Sequence, residues 1–424
     1  METLPSEILD QILSHLDHND SIECVRVCQS WRKLIPPHVA SLWSHIHLQQ
    51  YAYHILDAVP IFAPFINTIT LINFDVHLEN ALKTLNRTSK HLVLQKLKLQ
   101  GTRMQANTGF IELFKPLRID DLWIDDTTRD ISEKIDFLDL MAAAQPRSFY
   151  YSDNPNHLPD ICPSFTFNLK DINTPFCERL VSLTLRVYGF QYDLMTILQH
   201  CPNLKRLQTG YDTHADCQDI MTACPRLEYL DCNSIFDARY QFDWIDTPAD
   251  DEHSRQERSL RFLRYRKATT QTLDFVLQHQ STLELLHLDC KLNAYRPQWQ
   301  PFALQFQSNT LRMLSCRMLG DGEFLSTLLP SCPNLERVQL NGVRPRADLY
   351  HALASLPKLE LLELGLSSDR TQPEDEPQAL AELQQFLSQL SSSLKYLILK
   401  KESIFYNMLK PSVLLAAVRD LKKS

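Results

Sequence analysis

Apolar residues near the start of the chain recur with the spacing of an amphipathic helix. Residues 4–16 read LPSEILDQILSHL, and their apolar positions stand mostly three or four apart, at Ile8, Leu9, Ile12, Leu13 and Leu16. This spacing gives an apolar stripe along one face of a helix. Pro5 suits the first helical turn, where a missing backbone N–H costs nothing. The pattern therefore predicts an N-terminal helix that packs against another surface.

A second helical segment is predicted between Asp20 and Ile35. Asp20 suits the N-cap, with Glu23 placed to reach back to it, and Pro36 with Pro37 is expected to stop the helix. A module of about 45 residues is too small to cover all of its apolar groups alone. The stripe is therefore expected either to bind a partner or to cover the first unit of the fold that follows.

From residue 66 onward the chain repeats the pattern Leu-x-x-Leu-x-Leu. Copies begin at residues 66, 94, 119, 180, 204, 227, 260, 283, 311, 335, 359 and 394, and a degraded copy is expected near residues 147–150. Between the copies, leucines stand three and four apart, which is the spacing of a helix. A repeated strand and helix predicts a leucine-rich-repeat solenoid, in which each unit buries its leucines against its neighbours.

The residue three places before the first leucine supports this register in five of the copies. Cys177, Cys201, Cys224 and Cys332 each stand three residues before the first leucine of a copy, and Leu356 takes the same place. A buried small residue in that position explains the pattern. The usual asparagine or cysteine after the last leucine is mostly missing, so regular asparagine ladders are not expected.

Composition narrows the function classes. The chain has only 8 glycines, where average usage gives about 30, and no glycine-rich loop of the kind that holds nucleotide phosphates. Its net charge of −8 argues against a surface built for nucleic acid, and no apolar run reaches the length of about 18 residues expected of a membrane span. Without a secretory signal, a cytoplasmic and/or nuclear location with free thiols is expected.

Residue types that could form a metal or catalytic site occur without the matching motifs. His15, His18, Cys24 and Cys28 are possible zinc ligands by type, but their spacing is not that of paired zinc ligands. Neither HExxH nor GxSxG occurs. We therefore predict no metal, no cofactor and no catalytic centre.

The short sequence motifs near the N-terminus resemble those of the F-box family. LPSEILDQILSHL is followed by VCQSWRKL at residues 27–34 and by Leu42 with Trp43, in the family's order and spacing. The similarity covers roughly residues 4–47 and departs at Ile22, where leucine is usual. It implies three helices, with a break near residues 27–30, that dock on the Skp-family adaptor of a cullin-RING ubiquitin ligase.

The resemblance also implies which residues contact the adaptor or support that contact. They are Leu4, Pro5, Ile8, Leu9, Ile12, Leu13, Val27, Cys28 and Trp31. For Trp31, a place in the core of the module is an equal alternative, because aromatic side chains dominate both cores and interfaces.

The whole layout resembles the leucine-rich class of F-box proteins. The predicted fold class is α/β, with a short three-helix F-box at residues 1–47, a linker helix at 48–60 and a leucine-rich-repeat domain of about 13 irregular repeats at 61–424. Parallel strands are expected on the concave face and helices on the convex face. Residues 236–257 and 367–377 interrupt the period and are predicted to be loops.

Outward positions of the strands collect arginine and aromatic side chains. Side chains alternate along a strand, so the third, fifth and seventh places of each copy face away from the core. The candidate target-binding residues at these places are Arg186, Arg206, Tyr229, Phe262, Arg264, Arg266, Arg317, Arg337, Tyr396 and Lys400. Such a face suits an acidic or phosphorylated segment of a partner protein; the alternative is an ordinary solvated surface.

These features predict an adaptor and not an enzyme. The favoured function is the substrate-recognition subunit of an SCF-type E3 ubiquitin ligase, with the F-box on the Skp-family adaptor and the repeats on an unknown protein target. The adaptor would link the chain to the cullin and RING subunits. The alternatives are a non-degradative scaffold on the same adaptor and a hydrolase that uses cysteine or histidine. Neither nucleic acid nor membrane is expected as a partner.

Overall fold

Four short helices open the fold in the computed structural model of the chain. They are α1 (Ser6–Leu13), α2 (His18–Val27), α3 (Gln29–His38) and α4 (Ala40–Trp43). The structure describes residues 4–74, 77–102, 108–126, 135–153, 165–166, 177–186, 194–209, 216–232, 260–265, 270–290, 296–320, 322–343, 346–366, 385–386 and 394–399. The predicted break near residues 27–30 is confirmed, because α2 ends at Val27 and α3 begins at Gln29.

The predicted N-cap of α2 is wrong by three residues. Asp17 is the N-cap, and its carboxylate accepts a hydrogen bond from the backbone N–H of Asp20 at 2.7 Å. The carboxylate of Asp20 in turn accepts one from the backbone N–H of Asp17 at 3.4 Å. This reciprocal capping box satisfies two backbone donors at the start of the helix, which the pair of Asp20 and Glu23 does not do.

The predicted stop at the two prolines is also wrong. Pro36 and Pro37 lie inside α3, which continues to His38. Proline removes the N–H donors for the carbonyls of Arg32 and Lys33, but both of these residues are exposed. Water can therefore donate hydrogen bonds to these two carbonyls in place of the missing N–H groups, and the last turn of the helix persists.

The chain divides into two compact units. Unit 1 comprises Met1–Ala215 with Thr222–Arg226, and unit 2 comprises Asp216–Met221 with Leu227–Ser424. Each described unit contains parallel strands that follow one another in the sheet in chain order. Parallel neighbours of this kind need a crossover connection, and helices supply many of these connections.

Unit 1 contains nine described strands. They are β1 (His45–Gln49), β2 (Thr68–Ile72), β3 (Val93–Gln100), β4 (Arg118–Asp126), β5 (Ile135–Asp136), β6 (Ser148–Asp153), β7 (Phe165–Thr166), β8 (Ser182–Arg186) and β9 (Arg206–Thr209). β5 and β7 pair with each other, apart from the other seven. The helices after α4 are α5 (Val59–Phe62), α6 (Leu78–Arg87), α7 (Thr108–Glu112), α8 (Phe137–Ala144) and α9 (Leu194–Gln199), with 3₁₀ turns at Gln50–Ala58 and Ala63–Phe65.

Unit 2 has the same plan, and α10 (Cys217–Ala223) has residues in both units. Its described strands are β10 (Tyr229–Cys232), β11 (Phe262–Tyr265), β12 (Leu285–Cys290), β13 (Met313–Gly320), β14 (Arg337–Val343), β15 (Leu361–Leu366) and β16 (Tyr396–Leu399). Its further helices are α11 (Thr270–Gln278), α12 (Arg296–Gln305), α13 (Glu323–Leu328) and α14 (Ala347–Ala354), with a 3₁₀ turn at Leu329–Ser331.

The predicted α/β fold class is confirmed. Every copy of the leucine pattern contains a strand, and the degraded copy contains β6. Leu183 and Leu185 of β8 are buried, and Leu183 is in register with the buried Leu207 of β9. Inward residues of one strand therefore pack on those of the next, as the alternation of side chains requires.

One strand was not predicted. β1 pairs in parallel with β2, and its Ile46 and Leu48 are buried while His45, His47 and Gln49 are exposed. The sequence HIHLQ lacks the leading leucine of the repeat, so the pattern did not reveal it. The parallel sheet therefore begins within the last residues of the predicted F-box.

The cysteines before the strands are buried, as predicted. Cys177, Cys201, Cys224 and Cys332 lie in the core, and Leu356 in the same position is also buried. The thiol of Cys224 lies 3.8 Å from the carbonyl oxygen of Cys201, one repeat earlier. Burial raises the pKa of Cys224 to about 12, so this side chain remains a thiol that fills space between repeats.

Two remaining features complete the fold. Among the described residues, no helix has the length and hydropathy to cross a membrane. The insertions at residues 236–257 and 367–377, predicted to be loops, lie outside the described residues.

Candidate protein-interaction surfaces

An apolar row lies exposed along α1 and the residues just before it. Leu4, Ile8 and Ile12 stand at steps of four and are between 39% and 43% exposed. Leu9 and Leu13, on the other side of the same helix, are buried. The apolar residues that the predicted adaptor set has at α1 therefore divide in two: Leu9 and Leu13 hold the helix in the module, and the row of Leu4, Ile8 and Ile12 faces outward. We call this row, with Val27, the N-terminal apolar surface.

The residues around the break between α2 and α3 are mostly exposed. Val27 at the end of α2 is 65% exposed, and Cys28 is exposed as well. Pro5, which immediately precedes α1, is also exposed. The sulfur of Cys28 accepts a hydrogen bond from the backbone N–H of Trp31 at 3.5 Å, which caps the start of α3. Trp31 itself is half-buried. It neither lies in the core of the module nor projects fully from it.

Trp43 is the core tryptophan of the module. Its side chain is fully buried, and its ring stacks on Phe62 with centroids 3.8 Å apart. Its indole Nε1–H donates to Ser21 Oγ at 3.0 Å, so the buried donor is satisfied. Across the module, His38 Nδ1 lies 2.6 Å from Asp10 Oδ1 and joins α3 to α1. These contacts hold the helices that present the N-terminal apolar surface.

His18, one of the four residues considered above as possible zinc ligands, packs in this core. Its ring lies edge-on to Trp43, with centroids 5.1 Å apart. Burial lowers the pKa of His18, and a hydrogen bond to the backbone of Leu42 and the charge of Asp17 oppose that effect. Within the described part of the chain, no three His, Cys, Asp or Glu residues are placed to hold a metal ion.

The outward face of unit 1 brings together five side chains that we call the cation–aromatic row. It consists of Lys96 and Lys98 on β3, Trp123 on β4, Tyr150 on β6 and Arg186 on β8. The rings of Trp123 and Tyr150 stack with centroids 3.6 Å apart. The ammonium nitrogens of Lys96 and Lys98 lie 4.2 and 5.5 Å from the centroid of Trp123. The guanidinium carbon of Arg186 lies 5.3 Å from the centroid of Tyr150.

Sequence reasoning found only Arg186 of these five residues. The others were available to the same rule, because Lys96, Lys98 and Trp123 stand at the third and fifth places of the copies that begin at residues 94 and 119. Tyr150 belongs to the degraded copy. Arg206, the next predicted residue, is exposed on β9.

Two predicted contact residues of unit 2 are buried, which corrects the expectation that they are accessible. Phe262 is 5% exposed and Arg264 is 7% exposed. Phe262 stacks on the half-buried Tyr229 with ring centroids 3.9 Å apart, and it packs in one cluster with Leu285 and Met313. These four residues are in register on β10 to β13. Neighbouring strands therefore cover side chains that a single strand would leave open.

Arg264 belongs to a second, polar row beside that cluster. Its guanidinium lies 3.7 Å from the carboxylate of Asp231, and both groups are buried. In the same row, His287 Nδ1 lies 2.7 Å from Ser315 Oγ. Farther along, Gln339 donates to Glu363 at 3.2 Å. These partners join strands to one another and do not extend into solvent.

The remaining predicted residues do not converge. Arg317 is exposed on β13, Arg337 is half-buried on β14, and Tyr396 is 62% exposed on β16. Arg266 and Lys400 lie outside the described residues. The role of these residues in target binding stays a prediction.

Comparison with known proteins identifies the N-terminal helices. Residues 1–49 match a family model described as F-box-like, so the chain carries an F-box-like domain, and strand–helix repeats follow it. The predicted F-box resemblance is thereby confirmed. No curated protein matches the chain.

Two solved structures are similar to this chain at low sequence identity. A chain of the crystal structure of the Rad7 and Elc1 complex in yeast is 14% identical, over 96% of this chain and 89% of that chain, with a TM-score of 0.42. A chain of the Toll–Spatzle complex from Drosophila is 11% identical, over 76% of this chain and 44% of that chain, with a TM-score of 0.37.

Proposed function

We propose that this chain is the target-recognition subunit of an SCF-type ubiquitin ligase. The F-box-like domain binds a Skp-family adaptor, which links the chain to the cullin and RING subunits. The repeats hold a protein target in the cytoplasm or nucleus. Catalysis belongs to other subunits, and this chain contributes proximity by raising the effective concentration of target lysines near the ubiquitin donor.

The N-terminal apolar surface is the observation that carries the proposal. Leu4, Ile8, Ile12 and Val27 are exposed in a domain that matches the F-box-like family. Full burial of an aliphatic side chain of this size contributes roughly 1.5–3 kcal/mol. Several such side chains on one small domain favour a protein partner over permanent contact with water.

The adaptor interaction is tested by recovery of a Skp-family adaptor on the full-length chain. We expect Ile8→Asp with Ile12→Asp to abolish recovery, because a charge would be buried at each contact. The matched control is Leu304→Asp on α12, where the leucine is 66% exposed in unit 2, and it should recover the adaptor as the wild type does. Unchanged recovery with the double variant, at an unchanged circular dichroism spectrum, would overturn the proposal.

A ligase subunit and a non-degradative scaffold differ in what happens to the captured target. The complete ligase would be reconstituted with this chain and a protein captured by it. A ubiquitin ladder on the captured protein, lost with Ile8→Asp and Ile12→Asp, supports the ligase function. Adaptor binding without ubiquitin transfer to any captured protein would favour the scaffold.

A further inference from the structure

α1 is a short helix whose direction depends on its contacts with the rest of the module. It has eight residues, and no side chain caps its N-terminus. Helices shorter than about 12–15 residues are only marginally stable alone in water. α1 contacts α3, and its Leu9 and Leu13 are buried. Tertiary contacts therefore decide both the formation and the orientation of this helix.

The two buried leucines attach α1 along one line only. Leu9 and Leu13 are four residues apart, so they lie on the same side of the helix. Burial of apolar surface is not directional, so a helix held along one line can still roll about that line. A roll would change the direction of Ile8 and of the rest of the exposed row. A row with a fixed direction therefore needs a second attachment on another side of α1.

Asp10 supplies this second attachment through His38 on α3. His38 Nδ1 and Asp10 Oδ1 are 2.6 Å apart. A carboxylate only accepts hydrogen bonds, so His38 Nδ1–H is the donor, and a charged acceptor makes such a bond short and strong. Within the described part of the chain, it is the one side-chain hydrogen bond that joins α1 to another helix or strand.

Asp10 and the exposed row lie on opposite sides of the buried line. A helix turns by about 100° per residue, so Ile8 stands about 100° before Leu9 and Asp10 about 100° after it. His38 is half-buried and Asp10 is exposed, which places their hydrogen bond at the rim of the contact between α1 and α3. A roll of α1 that turned the row would therefore also pull Asp10 away from His38.

We propose that Asp10 and His38 are positioning residues for the adaptor, because their hydrogen bond fixes the roll of α1 and with it the direction of the exposed row. The proposal rests on the proposed function, in which this row binds a Skp-family adaptor. Neither side chain needs to touch the adaptor. Without the hydrogen bond, the row would sample several directions, and the adaptor would bind only the fraction of molecules in which the direction is correct.

The affinity of the full-length chain for a purified Skp-family adaptor, measured by biolayer interferometry, tests the proposal. Asp10→Ala should weaken binding about three- to fivefold, the range expected for a partly exposed polar contact. Asp10→Asn should bind within about twofold of the wild type, because the amide oxygen still accepts a hydrogen bond from His38. This rescue separates the hydrogen bond from the negative charge of Asp10.

A double-mutant cycle shows whether the two residues act through one contact. His38→Leu keeps an apolar side chain in place but removes the donor, and it should weaken binding as much as Asp10→Ala does. The variant with both substitutions should bind no more weakly than either single variant. The matched control is Asn19→Ala, which removes a 2.9 Å hydrogen bond between Asn19 and His54 that does not involve α1. It should leave adaptor affinity unchanged.

Hydrogen–deuterium exchange of the α1 amides separates the direction of the helix from its stability. In Asp10→Ala, the buried leucines still hold α1, so its amides should keep their wild-type protection while the affinity falls. If His38→Leu does not fold by circular dichroism, the comparison of Asp10→Ala with Asp10→Asn decides.

Several results would overturn the proposal. Wild-type affinity of Asp10→Ala would remove the role of the hydrogen bond, and equal losses in Asp10→Ala and Asp10→Asn would assign the effect to charge. Additive losses in the double variant would indicate two independent roles. Loss of α1 protection in step with affinity would make the pair merely structural. Ile8→Asp with Ile12→Asp is measured on the same adaptor, so its loss of binding leaves the proposed function standing in each of these cases.

Discussion

Trp43 and Phe62 lie face to face, with ring centroids 3.8 Å apart and an angle of 4° between the ring planes. Trp43 ends α4, and Phe62 ends α5 beyond β1. The stack therefore ties the F-box-like helices to the first part of the sheet in unit 1. Burial of both rings makes this contact a structural support for the N-terminal apolar surface.

Replacing Trp43 should loosen the whole N-terminal module. Trp43→Ala removes the stack and the hydrogen bond to Ser21, so we expect a loss of about 3–5 kcal/mol in the local free energy of unfolding. Hydrogen–deuterium exchange of α1 to α3 in the full-length chain measures this loss. The half-buried Trp31→Ala is the comparison, with a smaller expected loss. Equal protection in Trp43→Ala and wild type would contradict this account of the core.

The ion pair of Asp231 and Arg264 should stabilise unit 2 only as a pair. Arg264→Met leaves the carboxylate of Asp231 buried without its partner cation, and we expect a loss of about 3–5 kcal/mol in a urea titration. Adding Asp231→Leu should restore much of that loss. The exposed pair of Arg261 and Glu284, 2.8 Å apart, gives the control, since Arg261→Met should cost at most about 1 kcal/mol. Equal losses for the buried and exposed pairs would refute the prediction.

His18 should make the module less stable in mild acid. Its folded-state pKa lies below the usual value of 6.5, chiefly because of burial. The unfolded chain therefore binds the proton more readily, and stability present above about pH 6.5 is lost as the pH falls towards the folded-state pKa. Thermal melts at about pH 7.5 and about pH 5.5 should show a smaller pH effect in His18→Gln, and the exposed His15→Gln should keep the wild-type effect.

Cysteine alkylation should distinguish the surface of the module from the repeat core. Cys28 is exposed, whereas Cys316 and Cys332 are buried and burial raises the pKa of each to about 12. At about pH 8, iodoacetamide should modify Cys28 first, because thiolate and access are both needed. A bound Skp-family adaptor should slow that modification. Mass spectrometry of the peptides measures both effects, and early labelling of Cys316 would contradict the burial described here.

The strands could be predicted from sequence because each is a local pattern. Leu183 and Leu185 are two residues apart, and this alternation alone indicates which side of β8 is buried. The exposed and buried sides of α1 follow from helical spacing in the same way. β1 was missed because its five residues carry only two apolar positions, and its identity depends on pairing with β2.

The interaction surfaces depended on contacts between neighbouring repeats, whose residues lie far apart along the chain. Trp123 and Tyr150 are 27 residues apart in the chain, and only the register of β4 with β6 stacks them. Packing between neighbouring strands also buries Phe262 and Arg264, although the alternation of side chains along each single strand predicts that they face outward.

The sequence by itself determined the repeat, the inward-facing leucines and the F-box-like motifs, because hydrophobic spacing within a few residues selects helix or strand. The tertiary structure decided which outward side chains are accessible and which cations lie against which rings. That outcome depends on the lateral register of strands, where each side chain meets neighbours from other repeats that no short stretch of sequence contains.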